Sequence, residues 1–121
     1  MTSHFIQAIS NLKDMLANQA ALVEQTVHRA VEAVIGHQLE TAEQIIAEDS
    51  QVDHAEIAIE EECLKILALY QPVAGDLRQV VTILKINNEL ERIGDLAVNI
   101  AERVADMARF EEDQVDKFDF S

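Results

Sequence analysis

The chain reads as an all-α protein, an antiparallel three-helix bundle with long helices and short turns. Apolar residues recur at steps of three and four along three long stretches. Helix breakers gather at two places, around Gly36 and in the run QPVAGD. The composition is 49% hydrophobic with one proline, three glycines and no tryptophan, the profile of helices packed through Ala, Ile, Val and Leu. A length of 121 residues suffices for one core but not for two of ordinary size.

In the first stretch Phe5, Ile9, Leu12, Leu16, Ala20, Val23, Val27, Ala30 and Val34 follow the helical repeat. Thr2 or Ser3 is placed to cap its start and Gly36 to mark its stop. The second stretch begins near Thr41, where Thr41 and Gln44 fit a capping box. It continues through Ile45, Val52, Ile59, Cys63 and Ile66 to Tyr70, where Pro72 forbids further helix. The third starts near Asp76 as N-cap. It carries Ile83, Ile86, Leu90, Ile93, Ala97, Ile100, Val104 and Met107 at alternating steps of three and four, the strongest packing seam in the sequence. After Arg109 the run FEEDQVDKFDFS loses the period, so the expected organisation is a bundle over 1–110 and an acidic tail over 111–121.

The formal net charge is −14, from 23 acidic side chains against nine Lys and Arg. Phosphate repulsion then opposes nucleic-acid binding, and cations or basic protein surfaces are the favoured partners. Cys63 has no second cysteine to pair with, which excludes a disulfide framework and a cysteine-based zinc site. The N-terminus MTSHFIQAIS lacks a basic, then apolar, leader, and no run is long enough to span a membrane, so a cytoplasmic location is expected. No phosphate-binding loop, nucleophile elbow or Glu-x-x-His pair appears, so no enzyme activity is expected.

Within NELERIGDLAVNIAE, rotation by about 100° per residue places Glu91, Asp95, Asn99 and Glu102 in an arc of roughly 80°, opposite the Ile/Leu seam. One turn or two earlier, Leu77, Val80, Val81 and Leu84 lie on that same side and offer a partner or self-association face. On the second helix Asp49, Asp53, Glu56 and Glu60 fill an arc of roughly 60° bordered by apolar residues on both edges. Like charges four residues apart repel, and a multivalent cation would reverse that sign. An oxygen-only donor set suits Mg²⁺, Mn²⁺, Fe or Ca²⁺, with zinc reachable through carboxylates. A solvated or protein-contacting acidic ridge is the competing reading. Gly94, inside the helix, points either to close packing or to an approach to the backbone.

The run LALYQPVAGDLRQVVTILKINNELERIGDLAVNIAERV, residues 67–104, resembles the PhoU family of phosphate-signalling proteins. It matches the family's Q-P-V-A-x-D-L-R turn and its E/D-x-x-x-D helix motif, here Glu91 and Asp95. HFIQAISNLKDML and EDSQVDHAEIAIEEECLKI also look like the family's first two helices. The resemblance implies a non-enzymatic negative regulator standing between a high-affinity phosphate transporter and a phosphate-sensing histidine kinase. It further implies iron or zinc clusters held by surface carboxylates: Glu91 and Asp95 inherit that role directly. Asp49, Asp53 and Glu56 match the acidic second helix, and Asn99 and Glu102 are further candidate ligands. The family usually carries two such bundles in tandem where this chain has one. The chain is therefore expected to be half of a longer protein, or a single-bundle member that forms a homodimer.

Overall fold

The computed structural model describes residues 3–118, with side-chain placement up to 114. The chain forms α1 (Ser3–Gly36), α2 (Leu39–Tyr70) and α3 (Ala74–Phe118). At about 1.5 Å per residue these are rods of roughly 50, 50 and 70 Å. Two-residue and three-residue turns reverse the chain twice, so α2 runs antiparallel to its neighbours while α1 and α3 run parallel. All three pairs of helices are in contact.

The breaks are where the sequence places them, but other residues do the turning. α1 ends at Gly36, yet the left-handed backbone falls to His37 (φ 52°). The Gln38 N–H then donates to the Ala33 carbonyl at 3.0 Å, closing the helix end. α2 starts at Leu39, ahead of the expected capping box, and the Thr41 hydroxyl hydrogen-bonds the Gln38 side chain at 3.2 Å instead of capping. α2 closes on Gln71 (φ 43°), whose N–H reaches the Leu67 carbonyl at 3.1 Å, just before Pro72. α3 begins at Ala74, so Asp76 lies in its first turn, where a carboxylate complements the helix dipole, and not at the cap. Thr2 falls outside the described residues. The stretch expected to lose its helix after Arg109 stays helical to Phe118; residues 119–121 fall outside the described part.

The core has two apolar ends and a polar waist. At one end Phe5, Ile9, Leu12, Ile59, Cys63, Ile66, Val80 and Ile83 form a cluster of large side chains. There the Phe5 and Tyr70 rings meet edge-on at 5.5 Å between centroids. At the other end the buried residues are mostly small: Ala30, Ala33, Ala42, Ala97 and Ala101, with Ile45 and Val98. Between them lie Gln19, Thr26 and Asn87, all buried. The Gln19 amide donates to the Val52 carbonyl at 3.1 Å, and the Asn87 amide donates to the Glu56 carbonyl at 3.0 Å. Both neighbouring helices are thereby tied to α2 along residues 52–56, and a one-residue slip would leave two buried amides without partners.

α3 departs most from its sequence pattern. Its inward stripe is Val80, Ile83, Asn87, Gly94, Val98, Ala101 and Ala105, with Ala97 beside it. The expected seam lies one step round the helix, and half of it faces outward: Ile86, Ile93, Ile100 and Met107 are 43%, 42%, 38% and 57% exposed. The reason is size. Gly94 sits against Val52 and Val23, where an added Cβ would come within 3.3 Å of Val52 Cγ1. Small residues at 94, 97, 101 and 105 let α3 approach closely, which turns the large side chains out. The same applies to Val34 on α1, which is exposed although its spacing puts it in phase with the core. Val80, expected on a partner face, is fully buried in the large-residue cluster; Leu84 packs on that cluster, and only Leu77 and Val81 of that set stay at the surface.

Candidate metal centre between the second and third helices

The waist fixes what lies above it on the surface. With α2 held at residues 52 and 56, its acidic stripe faces that of α3 across the groove between the two helices. Asp49, Asp53 and Asp95 each place a carboxylate oxygen so that the three atoms lie within 4.8 Å of one another. Asp49 and Asp53 are half-buried and Asp95 is exposed. One turn further along the groove Glu56 and Glu91, both half-buried, share a hydrogen bond.

Two carboxylates can share a hydrogen bond only through a proton. Burial first, then that bond to Glu91 and the charges of Glu91, Glu60 and Asp53, push the Glu56 carboxyl up to about 7. The Asp49 carboxyl is also raised, by burial and then by the charges of Asp53, Asp95 and Glu102. The groove therefore concentrates negative charge that a proton or a cation relieves.

The donor set fits a hard or borderline cation. Two oxygens bonded to one ion at about 2.0–2.6 Å lie no more than roughly 4–5 Å apart, which the Asp49, Asp53 and Asp95 oxygens already meet within small rotations. Such an ion would supply compensating positive charge. Glu56 and Glu91 could then join as ligands once Glu56 gives up its proton.

The sequence puts each acidic set on one face of its helix but could not group the two sets across helices. Asp49, Asp53, Glu56, Glu91 and Asp95 line one groove, in two subsets. Glu102 lies close enough to Asp49 to raise its pKa, and Asn99 is exposed. His54 is exposed and outside the three-carboxylate cluster. Missed altogether were Gln19 and Asn87, which tie α1 and α3 to α2. Their only signal was phase, since each falls where an apolar residue would continue the core stripe. Gly94 answers to close packing against Val52 and Val23. Burial pushes the Cys63 thiol up to about 11, which makes it a small apolar core residue with little thiolate character.

Three long helices with an interhelical carboxylate cleft make the fold an all-α three-helix bundle. Residues 16–104 match the family model described as the PhoU domain, and the chain belongs to the PhoU family. A phosphate-specific transport system accessory protein PhoU homolog from Aquifex aeolicus is 43% identical over 95 residues, covering 78% of this chain and 43% of the relative. The PhoU of Serratia marcescens is 38% identical over 100 residues, covering 83% and 41%. Crystal structures of PhoU from Pseudomonas aeruginosa (TM-score 0.84, 37% identity) and of the phosphate transport system regulatory protein PhoU from Streptococcus pneumoniae (TM-score 0.78, 34% identity) share the fold. They cover 87% and 83% of this chain, and 50% and 47% of those chains. The chain thus spans about half the length of the relatives it matches.

Proposed function

We propose that the chain is a non-enzymatic accessory regulator of phosphate uptake, acting in the cytoplasm on a phosphate transporter ATPase and a phosphate-sensing histidine kinase to repress the starvation response. Family membership and relatives named as phosphate-transport accessory proteins support this reading. Among the described residues no helix is long and apolar enough to cross a membrane. The net charge of −14 favours docking on basic patches of its targets.

The α2/α3 carboxylate groove carries the more specific part: it binds iron or zinc, with Mg²⁺ or Mn²⁺ as substitutes, through Asp49, Asp53 and Asp95, joined by Glu56 and Glu91. Asp49 and Asp53 descend from one helix and Asp95 from another, so an ion would clamp α2 to α3 and replace repulsion by attraction. The test is metal analysis of the purified protein together with calorimetric titration of Fe²⁺, Zn²⁺ and Mn²⁺. Asp53→Asn with Asp95→Asn should abolish stoichiometric binding, and unchanged metal content would remove the assignment. For the regulatory part, expression in a bacterium lacking its own PhoU should restore repression of a phosphate-starvation reporter. A structural bundle whose acidic face serves partner choice alone would repress equally well as wild type and as the double variant.

A further inference from the structure

We infer that the cleft between the N-terminal turns of α1 and α3, on the opposite flank of α3 from the carboxylates, binds inorganic phosphate as its monohydrogen dianion. This deepens the regulatory reading without resting on it or on the metal centre.

Charge is spread unevenly along the chain. Of the 23 acidic side chains, residues 1–23 carry only Asp14 and residues 71–88 only Asp76. The fold packs these two acid-poor stretches side by side, since Ile9 and Leu12 of α1 share a core cluster with Val80 and Ile83 of α3. They hold Lys13, Arg78 and Lys85 against Asp14 and Asp76, a formal balance of +1 in a chain of −14. An anion repelled by the rest of the surface is favoured here.

Two of those cations line one cavity. Lys13 of α1 and Gly75, Arg78, Gln79, Thr82 and Ile83 of α3 surround a space of about 420 Å³. A neighbouring space of about 450 Å³ shares Lys13 and Gln79 with it and adds Ser10 and Asp76 beside Phe5 and Ile9. Among the described residues neither Lys13 nor Arg78 forms an ion pair, whereas Arg29, Arg92 and Arg109 are paired with Glu48, Glu89 and Asp106. The two unpaired cations thus come from different helices and meet at a cleft that no acid of the second helix lines.

The donor set selects the anion. Arg78 offers a planar guanidinium fork, Lys13 an ammonium, Gln79 an amide, and Ser10 and Thr82 hydroxyls. Arg78 and Thr82 lie one turn apart on α3, so fork and hydroxyl share a face. A planar carboxylate presents two oxygens to such a set, while a tetrahedral oxyanion presents enough to engage donors from both helices at once. Asp76 chooses among tetrahedral oxyanions. As an ionised carboxylate it only accepts, so it repels sulfate but takes the proton that inorganic phosphate keeps near neutral pH. Phosphate monoesters lose that proton at lower pH, with a second pKa of about 6, and are disfavoured for the same reason.

Titration of the full chain with sodium phosphate in EDTA, followed by two-dimensional amide NMR, tests this. Wild type should show saturable shifts centred on Lys13, Gly75, Arg78 and Thr82, with a Kd of about 1 mM or below. Lys13→Gln with Arg78→Gln, at two exposed positions, should weaken binding at least about tenfold with unchanged helical circular dichroism. Thr82→Val keeps the shape, removes the hydroxyl and should weaken binding by a smaller factor; it serves if the double variant misfolds. Sulfate and AMP should bind more weakly than phosphate to wild type, and Asp76→Asn should narrow the gap. Asp53→Asn with Asp95→Asn should bind phosphate as wild type does, which separates this cleft from the metal centre. Failure to saturate by about 10 mM phosphate overturns the inference. So does binding that the Lys13 and Arg78 changes leave intact, or sulfate binding as tight as phosphate binding. Each of these results is independent of whether the chain represses a starvation reporter.

Discussion

α3 presents two flanks that differ in nearly every respect. Toward α2 it shows Glu91, Asp95 and Glu102; toward α1 it shows Ile86, Ile93, Ile100 and Met107. Both flanks border the same buried stripe of Val80, Ile83, Asn87, Gly94, Val98 and Ala101. The first is unsatisfied electrically and the second is unsatisfied hydrophobically. A helix with a narrow inward stripe of small residues leaves more of its circumference outside, and here both outer faces are specialised. The lesson is that apolar periodicity marks what a helix must bury, without saying against which molecule.

The sharpest way to test that division is to compare a core residue with a stripe residue. Ile59→Ala, at a fully buried position of the large-residue cluster, should lose about 2–5 kcal/mol in urea unfolding. Ile93, read from its spacing as core, is 42% exposed. Its loss in the single chain should therefore be much smaller, and equal losses at the two sites would break the distinction.

Next comes the acidic flank. A divalent cation at 100 times its Kd should stabilise the folded chain by about 2.7 kcal/mol, seen as a rise in Tm. Asp53→Asn with Asp95→Asn should erase that rise while leaving the metal-free protein folded, because these side chains lie at the surface of the groove.

Between the flanks, Gly94→Leu should cost about 1–3 kcal/mol by thermal unfolding, since its side chain would enter space held by Val52 and Val23. Gly94→Ala should be close to neutral: helix propensity gains roughly 1 kcal/mol against a 3.3 Å contact.

The smallest effect is a pH dependence. The Glu56 carboxyl is raised from an ordinary 4.5 to about 7. The folded state then binds a proton that the unfolded chain has released. That contribution is fully present below about pH 4.5 and is lost as pH rises through 7. Metal-free protein should thus lose stability across this window, and Glu56→Gln should flatten the slope there. Cation affinity should move the opposite way, rising with pH as the proton leaves.

Much of the site was legible in the chain because its residues are local. Asp49, Asp53 and Glu56 are one turn apart on a single helix, as are Glu91 and Asp95, and helical geometry alone puts each set on one face. Their division into a three-carboxylate cluster and a proton-sharing pair depends on how far α2 slides along α3. That sliding is pinned by Asn87, through a bond to Glu56 31 positions away in the chain, while Gln19 ties α1 to the same stretch of α2.

The helix count, the two breaks near Gly36 and Pro72, and the acidic stripes followed from the sequence by itself. Spacing, breakers and charge are properties of neighbouring residues, and local geometry suffices to read them. Only the tertiary structure decided which of two adjacent stripes on α3 turns inward. Ile86–Ile93–Ile100–Met107 is the more hydrophobic stripe, but close packing against Val23 and Val52 selects the smaller one. Packing answers to the volume between three helices, which no single helix encodes.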